Sequence, residues 1–199
     1  DVAISFSLPQ PTVELLRSCE RAEVPAVVGT TGFSPAQRAD VEAVATRIPV
    51  VLAANFSVAV NVLFRVVRQA ASLLGDDYDA EIIELHHNQK VDAPSGTALA
   101  LGRAVAEGRG VDFERVALRD RDGITGVRPA GAIGLQALRG GDVAGEHSVL
   151  LIGGGERLEL SHRASTREHF ARGALRAATW SLGRSPGLYD MEDVLGLRS

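Results

Sequence analysis

Apolar residues in the first third of the chain come in short β-rich runs separated by stretches of helical period. Val2 to Phe6 is the first run, and Pro11 to Arg21 then places Val13, Leu15 and Leu16 at helical spacing. Ala26 to Gly29 is apolar again, and Gly29 to Gly32 turns the chain. Ser34 followed by Pro35 supplies an N-cap and a first helical residue, so a helix is predicted to run to about Arg47. Ile48 to Ala53 is a third run without polar alternation, as expected of a strand covered on both faces. Strand, helix, strand, helix, strand predicts a parallel sheet with right-handed crossovers.

A helical pattern covers Ser57 to Leu74 and stops at Gly75, after which the pattern changes. Ala80 to His87, Ala132 to Leu138, Ser148 to Ile152 and Arg157 to Ser161 read as strands, with one helix from Thr97 to about Glu107. Glycine turns lie at Arg139 to Gly141 and Gly153 to Gly155, the latter expected as a hairpin connection. Thr166 to Leu182 and Met191 to Leu195 close the chain as helices, with Thr166 as the expected cap. The expected division is residues 1–54 with 167–199 as one domain and 55–166 as the other. No GxGxxG turn follows the first strand, so the sequence is expected to start partway through its first domain. The expected class is α/β: a truncated Rossmann-type parallel sheet, plus a second, α+β domain with a mixed open sheet.

Composition narrows the function. A net charge of -4 argues against a general nucleic-acid binder. The single cysteine, Cys19, cannot form an internal disulfide, which fits a reducing, cytoplasmic setting. The longest apolar region, around Val50 to Phe64, is broken by Asn55, Ser57 and Asn61 and falls short of the roughly 20 residues of a spanning helix. The opening DVAISFSLPQ lacks the basic start of a signal peptide. Neither a membrane nor a metal is expected.

Candidate chemistry concentrates in Glu84 to Ala98, ELHHNQKVDAPSGTA, which contains the only lysine of the chain, Lys90. Alternate side chains of a strand point to opposite faces, so His86 and His87 can share a cleft only if the strand ends there, as Asn88 and Gln89 suggest. Pro94 suits the first turn of the next helix, Ser95 and Thr97 bring hydroxyls, and Gly96 lets a ligand approach the backbone. The free amides of that helix start suit a carboxylate. Histidine titrates near neutrality, and a lysine can surrender a proton where an arginine cannot. Taken singly these features are commonplace; their conjunction fits a small anionic substrate. Glu84, His86 and His87 are disfavoured as a metal set, because adjacent histidines on a strand diverge.

ELHHNQKVDAPSGTA resembles the signature segment of the bacterial dihydrodipicolinate reductases, also called 4-hydroxy-tetrahydrodipicolinate reductases, of lysine biosynthesis. GTTGF (29–33), AANFSVAVNV (53–62), RGGDVAGEH (139–147), SHRAS (161–165) and GLYDMEDVL (187–195) resemble further family segments, in family order. The resemblance implies reduction of a cyclic imine by NADH or NADPH, within lysine and diaminopimelate biosynthesis. It implies His86 as the acid/base histidine and Lys90 as the proton donor. His87, Ser95, Gly96 and Thr97 are implied as substrate-binding residues. Gly29, Thr30, Thr31, Ala53, Ala54, Asn55 and Phe56 are implied to line the nicotinamide half of the cofactor. RGGDVAGEH and GLYDMEDVL are expected to be mainly structural, and a homotetramer is implied. The rival expectation is a non-catalytic homologue that keeps a dicarboxylate pocket as a binding or assembly module.

Overall fold

Short runs of alanine and valine form the first sheet, because small and β-branched side chains pack tightly under helices on both faces. The computed structural model describes residues 1–198. The chain opens with β1 (Ala3–Ser5), α1 (Pro9–Arg21), β2 (Ala26–Val28), α2 (Pro35–Ala45), β3 (Pro49–Leu52) and α3 (Val58–Leu74). It continues through β4 (Asp79–His86), α4 (Gly96–Arg109), α5 (Phe113–Val116), β5 (Ala117–Leu118), β6 (Ile133–Arg139), β7 (Gly145–Ile152) and β8 (Arg157–Ala164). Last come α6 (Glu168–Ser181), β9 (Gly187–Tyr189) and α7 (Met191–Leu195). Two compact units result, Asp1–Asn61 with Glu168–Ser199, and Val62–Arg167. The sequence pattern sets the junctions seven residues and one residue earlier, after 54 and after 166.

In the first unit β1, β2, β3 and β9 form a parallel sheet in that order. Leu16, Cys19, Val41 and Val44 from α1 and α2 bury against β2 and β3 in one cluster. Ala174, Ala177, Ala178 and Met191 from α6 and α7 form another with Val27, Val51 and Phe56. α2 begins with a capping box, Ser34 accepting from the Gln37 amide while the Gln37 side chain accepts from the Ser34 amide. Gly173 allows α6 to approach the chain at Phe56 very closely: a Cβ there would lie 1.7 Å from the Phe56 carbonyl oxygen.

The second unit is a five-stranded mixed sheet in the order β5-β6-β4-β7-β8. β4 is central, parallel to β6 and antiparallel to β7. One face of the sheet is covered by α3 and α4, where Val67, Ala71, Leu101 and Val105 pack on Ile82, Ile133, Val149 and Leu151. Gly153 to Glu156 makes the expected hairpin connection between β7 and β8.

The differences from the sequence pattern have local causes. β7 starts at Gly145 and β8 runs to Ala164, because cross-strand pairing carries both through polar residues, with Glu146 opposite Arg163 and His147 opposite His162. β5, α5 and β9 have two to four residues each, too few to give a period. Pro94 lies outside α4 and not in its first turn, since Ser95 is the cap, and the Ala93–Pro94 peptide bond is cis. α6 starts at Glu168, two residues after the expected cap Thr166. The longest apolar stretch also lies later than the sequence pattern suggests: the helical run Val58–Asp77, with a mean hydropathy of 1.3, is long and apolar enough to cross a bilayer by length and composition alone. Its Leu63, Val67 and Ala71 are buried in the core of the second unit.

Candidate active site

The alternation of β4 sends Ala80, Ile82 and Glu84 to the covered face of the sheet, so a carboxylate stands where the pattern otherwise places core residues. Glu84 is only 1% exposed. It is fully partnered: Arg139 donates to both its oxygens at 2.8 Å, the Ser95 amide donates to Oε1 at 3.0 Å, and His86 Nδ1 lies 2.5 Å from Oε2. Burial opposes ionisation, yet the hydrogen bonds from Arg139, His86 and Ser95 outweigh it and hold the Glu84 carboxyl below its usual range. The same pairing pushes the Arg139 guanidinium further up. Because an ionised carboxylate only accepts, the proton of the contact with His86 is on Nδ1.

β4 ends at His86, so His87 lies beyond the strand. The following turn is pinned to the glycine turn after β6: Gly140 donates to the His86 carbonyl at 2.9 Å, His87 to Val143 at 2.8 Å and Asn88 to Gly141 at 3.1 Å. Lys90 donates from Nζ to Asp92 Oδ1 at 2.8 Å. Arg139 also reaches this loop, donating to the Asp92 carbonyl at 2.7 Å.

Ser95 caps α4, its hydroxyl accepting from the Ala98 amide at 3.2 Å and lying 3.1 Å from His147 Nε2. The amide of the buried Ser95 is given to Glu84, so the residue joins the start of α4 to β4. Gly96 at the helix start is exposed, with nothing within 4 Å of where a Cβ would stand. Thr97 is the next residue of the same turn.

Two functional candidates escape the sequence reading as site residues, Arg139 and His147, both inside the RGGDVAGEH segment expected to be mainly structural. The available signal was register: a seven-residue strand ending in arginine, followed by a glycine turn and a return strand carrying histidine. His147 is 5% exposed, and its ring meets that of His86 edge-on with centroids 5.1 Å apart. Burial above all, then the neighbouring His86, lowers its pKa to about 4, so it is neutral at physiological pH. Nδ1 has no protein partner among the described residues. Glu84 was legible only as a poor metal ligand; its Glu-x-His spacing, which puts both side chains on one strand face, was the missed signal.

In the first unit the expected nucleotide residues gather at the carboxyl ends of β2 and β3, the edge where parallel sheets bind dinucleotides. Thr31, Gly32 and Ala54 are exposed there, and Gly32 adopts φ +78°. Gly29 leaves room for Phe6, whose ring would clash with a Cβ, and Phe6 is 56% exposed and edge-on to buried Phe56. A bare aromatic ring beside small residues at this edge fits the flat ring of a nicotinamide. Thr30 and Phe56 face inward: the Thr30 hydroxyl donates to the Ser7 carbonyl at 2.8 Å and pairs with Thr12 at 2.7 Å. Asn55 Oδ1 accepts from the Ser57 amide at 2.8 Å, shaping the start of α3.

Residues 1–56 match the family model described as dihydrodipicolinate reductase, N-terminus, and residues 59–195 match dihydrodipicolinate reductase, C-terminus. The chain belongs to the dihydrodipicolinate reductase family. It is 52% identical to the 4-hydroxy-tetrahydrodipicolinate reductase of Syntrophotalea carbinolica, over 100% of this chain and 74% of the relative. The reductase of Geobacter metallireducens is 53% identical over the same shares, and that of Thiobacillus denitrificans 54% over 99% and 74%. Among solved structures, the dipicolinate-bound dihydrodipicolinate reductase of Paenisporosarcina sp. TG-14 superposes with a TM-score of 0.78 at 26% identity, covering 97% of this chain and 73% of that one. For a dihydrodipicolinate reductase the parallel sheet is the nucleotide-binding part, and a pyridine nucleotide is the cofactor.

Proposed function

We propose that the chain reduces 4-hydroxy-tetrahydrodipicolinate or dihydrodipicolinate to tetrahydrodipicolinate, in lysine and diaminopimelate biosynthesis. One observation carries this reading: the cluster at the end of β4 belongs to a chain that matches proteins named 4-hydroxy-tetrahydrodipicolinate reductase along its whole length at 52% identity. The dipicolinate bound in the similar structure supports a small cyclic dicarboxylate as substrate.

NADH or NADPH, when bound, supplies the hydride that a ring carbon accepts. The chain supplies one proton to balance it, and from the hydroxylated substrate the 4-hydroxyl group also leaves as water. Lys90 is the donor in this reading, an ammonium on a loop held by Asp92 and by the turn at His87, and His86 is the acid/base partner beside it. His87, Gly96 and Thr97 hold the substrate, the amides at the start of α4 facing one carboxylate. Thr31, Gly32 and Ala54 admit the nicotinamide end of the nucleotide against Phe6, while Gly29, Thr30, Ala53, Asn55 and Phe56 shape that edge from within.

Assembly as a homotetramer is part of the reading. The face of the five-stranded sheet not covered by helices carries Ile83, Leu85, Leu138 and Leu150, and Leu138 is 50% exposed. A cytoplasmic setting suits reduced Cys19, which is buried.

The reading is tested by following oxidation of the reduced nucleotide with the cyclic substrate, and by calorimetry with pyridine-2,6-dicarboxylate. Turnover together with dicarboxylate binding is expected. Binding of the dicarboxylate without turnover would overturn the enzymatic reading.

A further inference from the structure

We propose that Glu84, clamped by Arg139, is the positioning residue for His86, fixing the tautomer of the ring so that Nε2 is the atom left for exchange with the substrate. The inference rests on the reading of His86 as a proton-handling group.

Four donors converge on one buried carboxylate, and three of them have structural explanations: two arms of a guanidinium and the amide at the start of α4. The fourth is His86 Nδ1, from a part-buried ring at the very last residue of β4. A buried charge of this kind is retained only when every lone pair is used, and its removal leaves an arginine unpaired, so its presence in a core position calls for a task. Orienting a histidine is one that a carboxylate two residues away on the same strand face performs by geometry alone. Gly145 adds to this: a Cβ there would lie 3.0 Å from Nε2, so a side chain would crowd the ring edge that the glycine leaves uncovered. Arg139 carries the clamp further, since the nitrogen that donates to Glu84 Oε1 also donates to the Asp92 carbonyl, two residues from Lys90. One guanidinium thereby fixes both the histidine, through Glu84, and the loop that carries the lysine.

The test begins with the wild-type protein, ¹⁵N-labelled at histidine and read by NMR above neutral pH. His86 is expected with its proton on Nδ1 and a bare Nε2; a proton on Nε2 would overturn the proposal, whatever the variants do. Kinetics of Glu84→Gln, His86→Asn and the double variant follow. Glu84→Gln is expected to lower kcat on the order of 10²-fold with little change in KM, and to redistribute the His86 proton between the two nitrogens. Because Glu84 acts through His86, it should add almost nothing to the loss in His86→Asn. Full additivity, or an unchanged kcat in Glu84→Gln, overturns the positioning role while leaving His86 in place. An unchanged kcat in His86→Asn overturns the underlying reading instead. If Glu84→Gln fails to fold with Arg139 unpaired, Glu84→Gln/Arg139→Met removes both charges and is expected to show the same redistribution of the His86 proton.

Discussion

The ammonium of Lys90 is hydrogen-bonded at 2.8 Å to the carboxylate of Asp92, with one residue between them. The pair is local to its loop, and the Asp92 side chain is 55% exposed. The bond from Lys90 holds the Asp92 carboxyl below its usual range. A half-exposed ion pair contributes little to stability, about 1 kcal/mol or less, so it restrains the ammonium without locking it.

Lys90→Gln should therefore lower kcat by about 10²- to 10⁴-fold, the usual effect of losing a general acid. Lys90→Arg should not restore it, because a guanidinium keeps its proton. Asp92→Asn should cost less than Lys90→Gln. Steady-state kinetics decide, and an unchanged kcat in Lys90→Gln would remove the lysine from the proton path.

His147 gives a pH dependence with a definite sign. Its pKa is about 4 in the fold against an ordinary 6.5, so between those values the unfolded chain binds more protons than the folded one. Its contribution is whole above pH 6.5 and is lost as pH falls to about 4, amounting to at most about 3 kcal/mol. Glu84, also lowered, pushes in the same direction at more acidic pH. Urea unfolding of the wild type and of His147→Phe, each at neutral and at mildly acidic pH, separates the two. The loss on acidification should be smaller in the variant.

Gly173→Ala tests the close approach of α6 to the chain at Phe56. A methyl 1.7 Å from a carbonyl oxygen cannot be absorbed by a side-chain rotation, so the helix must shift. The expected cost is about 1–3 kcal/mol or more, although alanine favours helices, and thermal unfolding measures it. A neutral or stabilising result would mean the backbone yields there easily.

Thr30→Val tests whether Thr30 serves the fold. The variant takes the Thr30 donor from the Ser7 carbonyl and one of three hydroxyl contacts from Thr12, which keeps Ser5 and Ser7, at a cost of about 1 kcal/mol. Chemical denaturation checks this.

Much of the scaffold was legible because its signals are local. The Ser34-Pro35 start, the apolar runs of the parallel sheet and the GGGE hairpin each announce themselves within a few residues. What was not legible depends on partners distant in sequence. The extension of β7 through Gly145 and His147 exists only because β4 and β8 flank it. The two-residue β5 is defined by pairing with Ile133 and Gly134. The same holds for the site: His86 and Lys90 stand within one quoted segment, whereas Arg139 is 55 residues from Glu84 and His147 is 52 from Ser95.

The central position of β4 bears on time as well as geometry. A strand hydrogen-bonded on both sides, under two helices, has amide protons that exchange with solvent only when its unit opens as a whole. The candidate catalytic histidine is the last residue of that strand, and the loop bearing the lysine begins one step later. Deuterium should therefore enter the strand slowly, and the slow region should run past His86 into the His87 and Asn88 amides, which are bonded to Val143 and Gly141: the anchor of the site keeps still for as long as the protein stays folded.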